Sequence, residues 1–444
     1  MTHDEKVRQL AASIRARAAE KGAPPAFQKA STPHLVPNPY ARKNSRPTVN
    51  VAALDELLTI DAKKRIAVAE SGLTFSDLVQ ATLKQGLLPC TVPELKGITV
   101  GGAVSGCSIE AMSYQYGGFH DSCLEYEVVT GTGEVLTLSP EQEPELFHLL
   151  HGSYGTLARL TKVTLKLLPA KPFVKMTYRR LATFGEFWSE MNAHCAKADC
   201  DFIDAIIHAK DSFVLCLGDF VDAAPFASRY DGLDLFYKST REKTEDYLAT
   251  YDYCFRYDTE CHWLTATVPL LENRLVRRLA GKWFLGSTNL ISWSNRLRGP
   301  LKLIKRRPDV VVDVFIPARR MEEFYAWYER DFDFYPLWIV PYRMKELYPW
   351  INPAHAERLG ETLLIDCAIY GKPNGDPKLD YSELLERKVH ELGGVKTLIS
   401  RNHYDEATFW SIYDRERIAR AKARLDPHNL FGDLYAKFAP ENYR

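Results

Sequence analysis

The stretch that most constrains this chain is residues 93–120, where six glycines (97, 101, 102, 106, 117 and 118) fall within 28 residues. Glycine lacks a Cβ and takes positive φ freely, so other groups can approach its backbone closely. Here the glycines alternate with the short apolar residues Ile98, Val100, Ala103 and Val104. Such a segment can present a wall of main-chain N–H groups to a phosphate or a flat cofactor. A glycine-rich turn between strands is the plain alternative.

The flanking pattern adds to this. Residues 124–138 read as strand, Thr-Gly-Thr-Gly turn, strand, a hairpin signal. Residues 145–157 read as a short helix broken by glycines, and residues 158–167 alternate as a strand. In this order the sequence resembles the FAD-binding domain of the vanillyl-alcohol-oxidase (PCMH-type) flavoproteins. Within that superfamily it is most similar to the Δ24-sterol reductases. The matching pieces are Val92-Pro-Glu-Leu95, Thr99-Val-Gly-Gly102, Ile109-Glu110, Tyr116-Gly117, Gly155-Thr-Leu157 and Pro169-Ala-Lys171, then Tyr335-Pro-Leu-Trp-Ile339, Tyr370-Gly371 and Phe409-Trp410. They span roughly residues 34–438.

The resemblance implies an α+β fold. A two-subdomain PCMH-type FAD-binding domain is expected over residues 31–171, behind an N-terminal helix within 1–30. An α/β substrate (cap) domain is expected over 172–400, and residues 401–444 are expected to return to the FAD domain. Helices are expected at 4–21, 75–85, 183–198, 319–330, 379–391 and 405–424. Strands are expected at 49–60 and 63–70, at the hairpin, and through the cap.

By position, the resemblance implies FAD contacts from Pro93, Glu94, Lys96, Thr99, Val100, Gly101, Gly102, Gly106, Cys107, Ser108, Glu110, Ser113, Gly117 and Phe119. Gly155, Thr156 and Leu157 are expected to add main-chain contacts. The superfamily's first phosphate loop reads Arg42-Lys-Asn-Ser-Arg46 here, without glycine; it can serve as a basic phosphate loop or be a solvated one. No histidine sits in that loop, and Cys90 lies too far upstream to match the cysteine of doubly linked relatives, so noncovalent FAD is expected. Related decaprenylphosphoryl-ribose oxidases carry a lysine where Ser400 stands. Reduction of a C=C bond needs a hydride from the flavin and a proton from an acid close to the other carbon. Arg401 could supply positive charge. His403 or Tyr404 could donate the proton, with Tyr342, Tyr370 and His120 as alternatives.

Composition narrows the partners. Lys+Arg and Asp+Glu balance at 57 each, which argues against a nucleic-acid role. Nine scattered cysteines without a CxxC pair make neither a disulfide scaffold nor a metal site, so no metal is expected. No apolar stretch reaches the length of a membrane span, and residues 1–22 lack the apolar core of a signal peptide. A cytoplasmic protein is expected, with a peripheral membrane contact left open. Residues 230–305 read as irregular, aromatic and basic. They suit a lipid with an anionic head, a docking surface for an acyl carrier, or a solvated loop.

The leading expectation is an FAD-dependent reductase of a C=C bond in a lipid, with NADPH as reductant; a sterol side chain and a methylene-branched fatty acyl chain both qualify as substrates. An FAD-dependent oxidase or dehydrogenase of a lipid-linked alcohol or sugar is the alternative, and a non-catalytic binding protein on a flavin fold is the third. No second dinucleotide fingerprint is present for NADPH, and oligomeric state is not legible.

Overall fold

The computed structural model describes residues 1–20, 26–28, 48–268, 270–296 and 307–443. The basic loop at 42–46 and the cations between 298 and 306 lie outside the described residues.

Two short strands, β1 (Ala26–Gln28) and β2 (Thr48–Asn50), pair in parallel. The strand expected over 49–60 is divided: a turn separates β2 from β3 (Leu57–Asp61). β3, β4 (Ile66–Glu70), β5 (Leu87–Pro89), β6 (Cys123–Val129), β7 (Val135–Leu138) and β8 (Arg159–Pro169) form an antiparallel sheet in the order β3-β4-β8-β6-β7, with β5 on the far end of β8. In β8 the alternation is visible: Thr161, Val163, Leu165 and Leu167 are buried while Lys162, Thr164 and Lys166 are not.

The glycine stretch that follows is not an extended wall. Thr99 caps a short helix, Val100–Gly106, by accepting the Gly102 N–H at 3.2 Å. A Cβ on Gly101 would stand 2.7 Å from the Ser71 Cβ. Glycine there lets the helix lie directly on the turn after β4.

β9 (Phe173–Leu181) opens a second antiparallel sheet with β10 (Phe202–Ala209), β11 (Ser212–Val221), β12 (Glu245–Ala249), β13 (Val310–Pro317), β14 (Leu337–Arg343), β15 (Leu363–Lys372) and β16 (Val395–Lys396). Its order is β12-β9-β11-β10-β14-β15-β13-β16. Helices Phe184–Lys197, Met321–Trp327 and Tyr381–Glu391 cover one face, with Phe187, Met191, Ile203, Leu215, Val314 and Ile365 between. Phe202, Ile206, Val214, Trp338, Val340 and Ala368 point the other way, into a core shared with the first domain. Alternate residues therefore serve two cores, and the uncovered sheet face becomes a wall between domains. Residues 230–296 are less irregular than expected, because helices form at Phe236–Glu242, Thr250–Cys254, Arg274–Phe284 and Ser287–Arg296.

The single helix expected over 405–424 is two, Glu406–Ile412 and Arg415–Leu425. Asp414 is extended and accepts the Arg417 N–H, restarting the helix, while Tyr413 bridges to Ile351. This segment packs on the first domain. Gly131 N–H donates to the Leu425 carbonyl at 2.7 Å, and Lys422 Nζ donates to the Thr156 carbonyl at 2.7 Å. Buried Asp426 accepts Lys422 and the N–H groups of Leu430 and Phe431.

The N-terminal helix, His3–Ala19, docks beside it. Val7, Leu10, Ala11 and Ile14 pack with Val49, Leu54, Val129, Leu430 and Phe431. Lys6 Nζ pairs with the fully buried Glu70 at 2.9 Å, and the His3 ring bridges Glu70 and Glu127.

A Cβ on Gly131 would come within 2.1 Å of the Asp426 carboxylate, so overpacking there must push the C-terminal segment off the hairpin. Gly131→Ala is expected to destabilise the protein by about 1–3 kcal/mol, read as a lower melting temperature and faster proteolysis after Leu425.

Candidate active site

A cavity of about 580 Å³, its mouth included, lies between the two sheets. The first domain contributes Gly106, Cys107, Gly152 and Tyr154; the cap sheet contributes Phe315, Tyr342, Leu364, Val395, Lys396 and Thr397. Tyr348, Trp350 and Tyr413 close a third side. A Cβ on Gly106 would meet nothing within 4 Å, so this end of the glycine helix opens onto free space. Cys107, at φ 55°, ends the helix there.

Among the described residues Lys396 is the one charged residue along the cavity, but it stands opposite Val314, so its side chain points to the other face of the sheet, under the helix Tyr381–Glu391. Its Nζ donates to the Glu386 carboxylate and, at 2.5 Å, to the Arg401 carbonyl. Burial pulls the Lys396 ammonium below its ordinary value and pushes Glu386 above its own.

A hydrogen-bond chain leads away from the cavity wall. The Tyr342 and Tyr348 hydroxyls are 2.9 Å apart, and Tyr348 donates to Asp121 Oδ1 at 2.6 Å. His120 Nε2 is 3.0 Å from the same Tyr348 hydroxyl. Tyr348 has one proton, given to Asp121, so Tyr342 and His120 both donate to its oxygen. Burial pulls His120 below its ordinary value, leaving a neutral ring whose Nδ1 has no hydrogen-bond partner. Burial also pushes both tyrosines well above theirs, so each hydroxyl keeps its proton.

Further along the same sheet face sits a group of buried acids. Burial works to raise Glu94, but the 2.8 Å hydrogen bond from His262 outweighs it and holds the carboxyl low. The His262 ring stacks on Tyr257 and Tyr370, and the Tyr370 hydroxyl donates to Asp313 at 2.6 Å. Burial pushes Asp313 up to about 6. Asp366 is raised well above its ordinary value by burial, and its Oδ1 has no hydrogen-bond partner. Nearby, Arg256 pairs with Glu110 at 2.7 Å and Asp204 at 2.9 Å.

Of the residues expected to hold FAD, Gly106 and Cys107 line the cavity. The others build its frame. Pro93 is buried beside Glu94, whose partner is His262; Lys96 N–H donates to Asp258 at 2.9 Å. Thr99, Val100, Gly101 and Gly102 start the helix, and Val100 is wholly buried. Ser108 carbonyl accepts Phe119 N–H, and Phe119 packs edge-on against Phe75 in the core. Glu110 N–H donates to Ser113 Oγ. Gly117 sits at φ 81° above Asp121. Gly155 (φ 72°), Thr156 and Leu157 form a turn, with Thr156 bonded to the Ser153 carbonyl.

Arg401, His403 and Tyr404 do not line the cavity. Residues 400–404 are irregular rather than a strand, because β16 ends at Lys396. Arg401 pairs with Asp380 at 2.7 Å, His403 N–H donates to Glu386, and the Tyr404 hydroxyl donates to the Glu386 carbonyl. Burial pulls the His403 ring down to about 3. The His403 N–H and the Tyr404 hydroxyl hold Glu386, and the Arg401 carbonyl accepts from Lys396. Lys396, Tyr348 and Trp350 have no sequence signal: they sit on a two-residue strand and in a loop, without periodicity. Tyr342 and His120, named as alternatives, are brought together by Tyr348.

The cavity suits a flat, largely uncharged ring system. Its walls are aromatic and aliphatic, Gly106 leaves room for a plane, and buried Trp350 Nε1 is a donor without a hydrogen-bond partner. Burial pushes the Cys90 thiol up to about 11 and raises Cys107 further, so both stay as thiols.

Comparison with known proteins agrees. Residues 7–139 match the family model described as an FAD binding domain. In this the chain is similar to FAD-binding oxidoreductases of the PCMH type. Over most of its length it is related to the Δ24-sterol reductases. A Δ24-sterol reductase homologue of Caenorhabditis elegans is 25% identical over 420 residues, 88% of this chain and 78% of the relative. The human Δ24-sterol reductase is 24% identical over 403 residues (86% and 76%), and that of Arabidopsis thaliana 21% over 476 (98% and 84%). Among the described residues no helix is long and apolar enough to cross a membrane.

Asp366 and Asp313 have higher pKa values folded than unfolded. The stability they contribute is therefore full at acid pH and is lost as pH rises, through about 6 for Asp313. Asp366→Asn removes one ionisation without changing shape. Thermal melts from about pH 4 to pH 8 are expected to show the parent losing stability and the variant losing less, so that the variant is the more stable above neutrality.

Proposed function

We propose that this protein is an FAD-dependent reductase of a carbon–carbon double bond in a lipid, with NADPH as electron donor. The observation that carries the reading is the Tyr342–Tyr348–Asp121 chain, a buried proton supply opening onto an otherwise apolar cavity. The similarity to Δ24-sterol reductases over most of the chain supports it.

Gly106, Cys107 and the facing sheet would hold FAD noncovalently, and when bound it would supply hydride chemistry with NADPH as the source of electrons. The chain's own groups supply the rest. Phe315, Leu364 and Val395 hold an apolar substrate and exclude water. Behind Val395, the buried Lys396–Glu386 pair ties β16 to the helix Tyr381–Glu391 and so fixes this wall of the cavity. Tyr342 gives its proton to one carbon of the double bond. Rotation of the two hydroxyls then refills Tyr342 from Tyr348, whose proton is replaced from water before the next turnover, while Asp121 and His120 hold the Tyr348 hydroxyl in place. The product gains two hydrogens, one as hydride and one as proton, so the charges balance.

Among lipids, an unsaturated sterol side chain and a methylene-branched acyl chain present the same group: an uncharged, unactivated double bond on an aliphatic stem. Anaerobic addition of NADPH to the FAD-loaded protein is expected to bleach the flavin absorbance, and an unsaturated lipid to restore it. A flavin reduced by a lipid-linked alcohol alone, and not by NADPH, replaces this reading with the oxidase. Tyr342→Phe is expected to lower turnover by about 10²-fold or more while NADPH still bleaches the flavin at the parent rate. Unchanged turnover would remove Tyr342 from the mechanism.

A further inference from the structure

Away from the cavity, the helix Arg274–Phe284 leaves large apolar side chains in solvent. Leu275 is 64% exposed, Leu279 71% and Trp283 61%. The three stand at positions i, i+4 and i+8, one ridge along a single helix face. Leu270 (68%) and Val268 (48%) continue the exposed apolar surface before the helix. The opposite face is anchored: Arg277 is buried and donates to the Gly232 carbonyl, and Asn273 caps the first turn. The ridge is therefore held outward rather than free to turn into the protein.

Charge is segregated onto the same stretch. The whole chain balances 57 basic against 57 acidic residues, yet residues 274–308 contain ten Lys and Arg and no Asp or Glu. On the helix, Arg274 and Arg278 are exposed one position before Leu275 and Leu279, and Lys282 precedes Trp283 in the same spacing. Arg274 is paired with exposed Asp234. Soluble proteins rarely expose a continuous apolar ridge of this kind without a partner. A basic amphipathic helix with Leu and Trp on its apolar side is the form that lies in a bilayer interface. Aliphatic side chains and indole enter the acyl boundary there, and the cations meet anionic headgroups. A second copy of this chain would set the same acid-free stretch against itself, so like charges disfavour that occupant.

We infer that the helix Arg274–Phe284, with Val268 and Leu270, is a docking surface for the face of an anionic lipid bilayer. It holds the protein at the membrane surface. The inference rests on exposure and charge and stands whichever redox reaction the cavity performs.

The test is flotation of the FAD-loaded protein with vesicles of phosphatidylcholine alone and of phosphatidylcholine mixed with phosphatidylglycerol. The parent is expected to float with the mixed vesicles, less with phosphatidylcholine alone, and less as salt is raised. Leu279→Glu combined with Trp283→Glu is expected to lower the bound fraction at least tenfold, with flavin absorbance and melting temperature unchanged. Arg278→Glu is expected to lower it about fivefold or more on the mixed vesicles only. A parent that floats with neither vesicle overturns the inference, as does a double variant that floats like the parent. A parent that elutes as a dimer and becomes monomeric in the double variant assigns the ridge to self-association instead. Retention by an acidic acyl carrier protein but not by vesicles assigns it to that partner.

Discussion

One guanidinium holds the molecule together. Arg256 is wholly buried, and it joins Glu110 of the first domain to Asp204 of the cap sheet. Asp204 also accepts the Trp338 indole N–H and the Tyr257 hydroxyl, so three side chains converge on one carboxylate. Glu110 closes onto the Ala111 N–H directly after the glycine helix. Taking such charges out of water is expensive, and removal of one partner from a buried pair costs about 3–5 kcal/mol because the remaining charge is stranded. The expense fixes a register: sheet, cap and glycine helix meet in one arrangement, and that arrangement leaves the cavity between them. An apolar contact of the same area would hold the domains without specifying their angle.

The cavity inherits two electrostatic regimes from this frame. On one side, behind β16, the Lys396 ammonium is held by Glu386 and the Arg401 carbonyl. On the other, Glu94 is held ionised by His262, while Asp313 and Asp366 carry protons more readily than exposed acids. Between them the aromatic walls exclude water, which strengthens each interaction. Neutral imidazoles and tyrosines with firmly held protons make the His120–Tyr348–Tyr342 path a store of hydrogen rather than of charge.

Local chemistry made much of the fold legible. Thr74 and the apolar spacing after it mark the helix Phe75–Leu83, and the alternation in residues 158–167 marks β8. The spacing of Val7, Leu10, Ala11 and Ile14 places the first helix with its buried face. The glycine run marked the site's neighbourhood but not its form, since a Thr99 cap turned the expected wall into a helix. Where long-range contacts decide, the sequence is silent. The break at Tyr413 needs its bridge to Ile351, and Val395 faces the cavity only because a two-residue strand pairs with β13. Arg401, His403 and Tyr404 carry attractive side chains for catalysis, but nothing local shows that they face Glu386. The exposed ridge of Leu275, Leu279 and Trp283 has helical spacing that an irregular reading of residues 230–305 overlooks.

The hairpin of β6 and β7 is gripped from both directions along the chain. Arg15 holds the Gly133 carbonyl at 2.6 Å, and the Leu425 carbonyl holds the Gly131 N–H. Nearly three hundred residues separate Gly131 from Leu425, so the hairpin turn gains this contact only after the whole intervening chain has been made. The last helices thus act as a fastener on a hairpin made much earlier in the chain.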